Sequence, residues 1–108
     1  MPRKRRQPSY SAPRPTIDQL LENGRQLKQA GIDFLKTDLD IALTFADTAM
    51  RSGKDPAKKE RNRRNARRGY DTVLRMLEKQ DLTRNDANFL FQHLQVLKSR
   101  LQELGETF

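Results

Sequence analysis

The sequence contains no cysteine, one histidine and no long run of apolar residues. The absence of cysteine excludes disulfides, thiol catalysis and thiolate metal sites. No apolar run approaches the roughly 20 residues that a helix needs to span a bilayer. The basic N-terminus also lacks the apolar stretch of a signal peptide. We therefore expect a soluble cytoplasmic protein that makes no membrane contact.

The residue sets that carry catalysis are also missing from the sequence. His93 is the only histidine, so no second one is available to build a metal site. Asp38 and Asp40 are two residues apart and cannot share a helix face. No glycine-rich phosphate loop and no nucleophile–base pair is present. We expect a protein that is not an enzyme and binds no metal or other cofactor.

Acidic residues are scarce in two segments, whose positive charge exceeds the net charge of +8 because the rest of the chain is slightly acidic. Residues 1–16 contain five basic groups and no acid, and residues 54–70 contain eight basic groups and two acids. A clustered excess of charge creates a local field, whereas a dispersed excess mainly aids solubility. The clustering favours a polyanionic partner.

Residues 1–15 form a tail that is rich in proline and serine, and we expect it to be disordered. Its basic cluster consists of Arg3, Lys4, Arg5 and Arg6. Three interpretations stay open for this cluster: a nucleic-acid-binding arm, a nuclear address in a eukaryote, or a solubility tail. Residues 16–108 are enough for a single small domain.

Apolar residues recur at helical spacing in residues 16–108, which predicts an all-α fold. Thr16 and Gln19 form a capping-box pattern at the first helix start. Gly31 offers a stop, although a helix that continues through it costs only about 1 kcal/mol. The predicted helical segments are 16–31, 33–52, 55–79 and 83–105. They indicate an antiparallel bundle of three or four helices.

Small residues predict close packing between the second and third segments. In an antiparallel hairpin about Gly53, residues whose numbers add to 112 lie opposite one another. The predicted pairs are Leu35 with Leu77, Leu39 with Val73, Ala42 with Tyr70, and Ala46 with Ala66. Small facing residues let two helices approach to about 8 Å. The outer surface of the hairpin tip is then almost wholly basic.

The basic segment Lys58 to Arg68 holds seven basic side chains and one acid. At 100° per residue, its arginines fall on the side away from the partner helix and on a second edge. The planar fork of arginine suits phosphate oxygens. We therefore predict a nucleic-acid-binding surface, with a nucleoid- or ribosome-associated location. The predicted residues, besides the tail cluster, are Arg61, Arg63, Arg64, Arg67 and Arg68. The alternative is a solvated face paired with nearby acids.

The last segment carries a leucine seam at three–four spacing from Ala87 to Leu104, typical of a bundle or coiled coil. Phe89, Phe91 and Val96 flank the seam, and a monomer need not bury them. Exposed apolar patches usually mark an interface. The second functional hypothesis is therefore a protein-interaction adaptor or regulator that dimerises through this helix.

Three short motifs carry a resemblance: Thr-Asp-Leu at 37–39, Ala-Leu-Thr-Phe at 42–45 and Tyr-Asp-Thr-Val-Leu at 70–74. They resemble small, uncharacterised bacterial α-helical proteins over about residues 31–77. The resemblance implies a helical fold and a bacterial source, and it implies no activity. The alanine-rich hairpin is also similar in style to tetratricopeptide and microtubule-interacting-and-trafficking modules, but the sequence has no second copy at the 34-residue tetratricopeptide period.

Overall fold

The computed structural model describes residues 16–108, which form three helices and no strand. The helices are α1 (Ile17–Met50), α2 (Pro56–Leu77) and α3 (Arg84–Glu103). In this part of the chain no helix is both long and apolar enough to cross a membrane. The predicted all-α class is confirmed. The tail 1–15, including its basic cluster, lies outside the described residues.

Each helix begins at a capping residue, and the three caps lie at the starts of predicted segments. Thr16 and Gln19 form a reciprocal capping box, with hydrogen bonds of 2.8 and 3.1 Å. Asp55 accepts a hydrogen bond from the backbone N–H of Lys58, and Pro56 takes the first helical position. Thr83 caps α3 by accepting from the third backbone N–H of that helix. These side chains satisfy N–H groups that have no partner within their helix.

The sequence left open a stop at Gly31 or a helix that continues through it, and α1 continues through this residue. The φ angle of Gly31 is not positive, and Gly105 is the one described residue with a positive φ. Ile32 and Leu35, which follow Gly31, are buried. Their packing outweighs the cost of about 1 kcal/mol for a glycine inside a helix. The first two predicted segments are therefore one helix, and the described part of the chain has three helices.

The core lies where all three helices meet. The inner line of α1 is buried from Leu35 to Ala49, and the leucine seam of α3 is buried from Leu90 to Leu101. Twelve residues form one buried cluster: Leu35, Leu39, Ala42, Ala46, Ala66, Tyr70, Val73, Leu77, Leu90, Leu94, Leu97 and Leu101. The α3 seam therefore faces the other two helices, where its burial stabilises the bundle.

Helices α1 and α2 pack closely at Ala42 and Gly69. A Cβ atom built on Gly69 would lie 2.7 Å from the Cβ of Ala42. The predicted partner of Ala42 was Tyr70, so the contact lies one residue away from the expected register. Near the other end of α2, a Cβ built on Gly31 would lie 3.2 Å from the side chain of Gln80.

Helix α3 is held to α1 by two ion pairs, one near each end. The Nζ of Lys36 lies 3.0 Å from Oδ1 of Asp86, and Nη1 of Arg100 lies 2.6 Å from Oδ1 of Asp47. All four side chains are partly buried, so these pairs are better shielded from water than the ion pairs on the bundle surface. The two pairs hold α3 against α1 at both ends. Neither pair involves α2, whose outer side stays exposed to solvent.

Candidate nucleic-acid interface

The outer side of α2 presents three arginines along one line: Arg61, Arg64 and Arg68. The spacing of three and four residues places them on one helix face. Arg61 and Arg68 are exposed, and within residues 16–108 neither guanidinium has a carboxylate partner. The side chain of Arg64 is 68% exposed, and its Nε lies 3.3 Å from Oε2 of Glu60.

A shallow groove runs along this face of α2. Its lining residues are Ala57, Glu60, Arg61, Arg64, Asn65 and Arg68. At 1.5 Å per residue, the two outer arginines are roughly 10 Å apart along the helix. Measured along the axis of a DNA duplex, this length corresponds to about three phosphates of one strand, which follow one another every 3.4 Å or so. The groove can therefore contact successive phosphates of one strand.

Glu60 is the acidic side chain in this groove. The hydrogen bond from Arg63 lowers the pKa of Glu60 against an opposing effect of burial, and the charges of Arg63 and Arg64 lower it further. Glu60 is therefore ionised at neutral pH and offsets part of the positive charge beside Arg64. The remaining positive charge is concentrated at Arg61 and Arg68, the two ends of the line.

Arg63 and Arg67 also belong to the predicted surface, but the structure places them in a different environment. Arg63 pairs with Glu60 and with Glu106. The Nη1 of Arg67 lies 2.9 Å from Oε1 of Glu106, and its Nε lies 3.2 Å from Oδ1 of Asp71. Both arginine side chains are less than one-third exposed. Their charge is largely neutralised within the chain.

The residues that follow α3 contact the edge of α2 that carries Arg63 and Arg67. Gly105 adopts a φ of 96°, a conformation that favours glycine, and turns the chain back at the end of α3. The guanidinium of Arg67 then donates to the carbonyl of Thr107 at 2.8 Å and lies 4.1 Å from the ring centroid of Phe108. The ring of Phe108 meets Tyr70 edge-on, with the centroids 5.0 Å apart. Sequence reasoning missed this contact, because Glu106 and Phe108 lie about 40 residues along the chain from Arg67 and Tyr70 and share no motif with them.

A second groove adjoins Arg68 on the side of α1. It is lined by Asp38, Ile41, Ala42, Phe45, Asn65, Arg68, Gly69 and Thr72. Ile41 is about half exposed, and Phe45 is half-buried against the core. Arg68 therefore stands between a basic groove and a partly apolar one.

The predicted protein-interface residues do not form one patch. Phe89 and Val96 are seven residues apart and share a face of α3, whereas Phe91 lies on another side. Phe89 stacks on His93 with the ring centroids 4.1 Å apart, and Phe91 is 56% exposed. Phe91 lines a shallow groove with Leu74, Leu77, Glu78 and Leu82.

The described part of the chain contains no cluster of three or more His, Cys, Asp or Glu side chains that could hold a metal ion. The Nδ1 of His93 lies 2.8 Å from the carbonyl oxygen of Phe89, one turn earlier in the same helix. No protein-family model, curated protein or solved structure matches the chain. The similarity to small bacterial helical proteins therefore stays a prediction.

Proposed function

We propose that this protein is a non-enzymatic binding protein that engages nucleic acid through phosphate contacts of α2 and of the basic cluster Arg3–Arg6. The supporting observation is the pair Arg61 and Arg68. Both are exposed on one face of α2 and, within residues 16–108, lack a carboxylate partner. Positive charge that is not neutralised within the fold is available to phosphates.

In this proposal α1 and α2 form an antiparallel hairpin, and its rigid end carries the basic groove. Two contacts support that arrangement: Ala42 with Gly69, and Gly31 with Gln80. Gly31, the earlier α1 position, meets the later residue Gln80, just beyond the end of α2, whereas Ala42, the later α1 position, meets the earlier residue Gly69. A rigid helix that presents preformed arginines loses little conformational entropy when it binds.

The proposed surface is narrower than the one expected from the sequence. Arg61, Arg64 and Arg68 are its main phosphate-binding residues, whereas Arg63 and Arg67 contribute less because Glu106 pairs with both. Contacts to phosphates carry no sequence information. We therefore expect binding without base preference, consistent with a nucleoid- or ribosome-associated location.

The test is a fluorescence-anisotropy titration of the full chain against random-sequence DNA duplex and RNA at several salt concentrations. Three phosphate contacts predict a slope of about −2.7 for log affinity against log salt on duplex DNA. The affinity should then fall roughly 40-fold between 50 and 200 mM salt, and contacts from the tail would steepen the slope.

The variant that tests the groove is Arg61→Gln with Arg68→Gln, which should flatten the slope by about 1.8. Its matched control is Lys79→Gln with Arg84→Gln, which removes the same charge from exposed positions near the junction of α2 and α3. The control should keep the wild-type slope. Equal affinity of the groove variant and the wild type would contradict the proposal.

The second candidate function is a protein-interaction adaptor or regulator, and the observation that favours it is the exposed Phe91 groove on α2 and α3. Weak nucleic-acid binding without salt dependence would support this alternative. A solution mass that drops from dimer to monomer in Phe91→Gln would place its interface on α3.

A further inference from the structure

The first turns of α1 extend beyond the other two helices. α1 has 34 residues, whereas α2 has 22 and α3 has 20. The first buried residue of α1 is Ile32. In residues 17–30 every side chain is exposed, including four large apolar ones. Ile17 is 75% exposed and Leu27 is 74% exposed. We call residues 17–30 the α1 extension.

The α1 extension is poorly suited to stand alone as a helix. Isolated helices of this length are marginal in water even when they are rich in alanine, and this one contains Gly24. Its apolar side chains lie on one side, at positions 17, 20, 21 and 27, which is the stripe of a helix that packs against another helix. Among residues 16–108 nothing covers that stripe, so a partner is needed to bury it.

We propose that the α1 extension pairs with the same segment of a second copy of this chain, as two antiparallel helices. The stripe is nearly symmetric about Gly24, with Leu20 and Leu21 before it and Leu27 after it. A two-fold axis at Gly24 would place these leucines of one copy beside those of the other. This surface is self-complementary, as a two-fold interface requires.

The charges beside the stripe favour the antiparallel direction. Asp18 and Glu22 lie in the first half of the α1 extension, and Arg25 and Lys28 lie in the second half. At 100° per residue, Asp18, Arg25 and Lys28 border the stripe, whereas Glu22 points away from it. Antiparallel pairing places the acidic half of one copy beside the basic half of the other, whereas parallel pairing places like charges together. The helix dipoles also oppose each other in this arrangement.

The ion pairs that these residues make within the chain do not prevent the exchange. Nη1 of Arg25 lies 2.9 Å from Oε1 of Glu22, and Nζ of Lys28 lies 3.4 Å from Oδ2 of Asp81. More than half of each of these side chains is exposed. Exposed pairs of this kind contribute little to stability and can rearrange.

Gly24 gives an independent reason for a partner at this position. A Cβ atom built on Gly24 would meet no atom within 4 Å, and its φ angle is not positive. Neither packing within the described chain nor backbone geometry therefore calls for glycine, which is a poor helix former. At Gly69, the missing Cβ allows α1 and α2 to approach. In the proposed dimer, Gly24 allows the two copies of α1 to approach in the same way.

Analytical ultracentrifugation of the full chain, freed of nucleic acid by nuclease, tests the proposal. We expect a reversible monomer–dimer equilibrium. Leu20→Gln with Leu27→Gln should abolish the dimer, while the matched control Phe91→Gln on α3 should leave it intact. Gly24→Ala should weaken the dimer several-fold even though alanine favours the helix. A wild-type monomer at the highest soluble concentration would overturn the proposal, as would a dimer that only Phe91→Gln dissociates.

A charge-exchange experiment at low salt tests the antiparallel direction. Asp18→Lys makes the charged positions of the α1 extension more basic, and Lys28→Glu makes them more acidic, so each variant alone should dimerise less than the wild type. An equimolar mixture should restore dimers, because each heterodimer places a lysine at 18 beside a glutamate at 28. A parallel dimer already pairs like charges, so there each variant alone would dimerise as well as the wild type. That result, or a mixture that stays as monomeric as its components, would refute the antiparallel pairing. Since these positions lie outside the basic groove, the result does not depend on whether the protein binds nucleic acid.

Discussion

Adding one methyl group at Gly69 should force α1 and α2 apart. The new Cβ would lie 2.7 Å from the Cβ of Ala42 and 3.7 Å from its Cα. Carbon atoms in contact lie about 3.5–4.0 Å apart. The two helices must therefore separate by roughly 1 Å. This separation loosens the buried packing of Leu39, Tyr70 and Val73 near the crossing.

The change in the free energy of unfolding is the difference between a steric cost and a gain in helix propensity. Overpacking a well-filled contact costs about 1–3 kcal/mol, and replacing glycine by alanine inside a helix returns about 1 kcal/mol. Gly69→Ala should therefore lower the free energy of unfolding by about 0–2 kcal/mol. Ala42→Gly should lower it by roughly 2 kcal/mol, because it loses helix propensity and one buried methyl group.

The double variant separates the steric effect from the propensity effect. In Ala42→Gly with Gly69→Ala, the methyl group moves from α1 to α2, and its nearest neighbour becomes the Cα of residue 42 at an ordinary 3.7 Å. Losses and gains in propensity then cancel, so the double variant should be close to the wild type. The two substitutions should thus be coupled favourably by about 2–4 kcal/mol, which reaches the upper end of the range measured for contacting residues.

Urea unfolding followed by circular dichroism at 222 nm measures all four proteins of this cycle. Equal slopes against urea would show that the comparison reports stability and not a changed unfolded state. Additivity to within about 0.5 kcal/mol would refute the close crossing of α1 and α2, because independent sites behave in that way.

Three further predictions concern the ends of the helices. Glu106→Gln should lower the free energy of unfolding by about 1–3 kcal/mol, since the Glu106 side chain is 13% exposed and pairs with two arginines. The variant should also bind nucleic acid more strongly, because it frees Arg63 and Arg67. Unchanged stability would show that this contact is weak. The hydrogen bond from Lys36 lowers the pKa of Asp86 below its ordinary value of 3.8. The resulting stabilisation is fully present above pH 3.8 and is lost as the pH falls through the lower pKa of the folded state. In urea unfolding at a series of acidic pH values, Asp86→Asn should therefore show a smaller decline in stability than the wild type. An identical decline in that variant would contradict the role of Asp86. Thr83→Ala should cost about 1 kcal/mol in thermal unfolding by removing the cap of α3, and Thr83→Ser, which keeps the cap, is the control that should stay near the wild type.

The helix starts could be predicted from the sequence because their causes are local. Thr16, Asp55 and Thr83 each act on a backbone N–H three residues later, so a short window of sequence contains the whole interaction. The leucine seam of α3 is also local, because its three–four spacing defines one face whatever that face packs against. Local reasoning could not decide Gly31, where propensity allowed either a stop or a continuous helix, and burial of the following residues kept the helix intact.

The candidate site was predictable in location but not in detail. The sequence by itself determined that α2 carries a dense line of arginines and that small residues lie on its inner face, since both follow from helical periodicity. Only the tertiary structure decided which arginines stay available. Glu106 reaches Arg63 and Arg67 because Gly105 turns the chain back toward α2, and Arg61 and Arg68 face away from that contact. A charge pattern along one helix fixes where cations lie, but their pairing depends on which distant carboxylates the packing of the helices brings within a few ångströms.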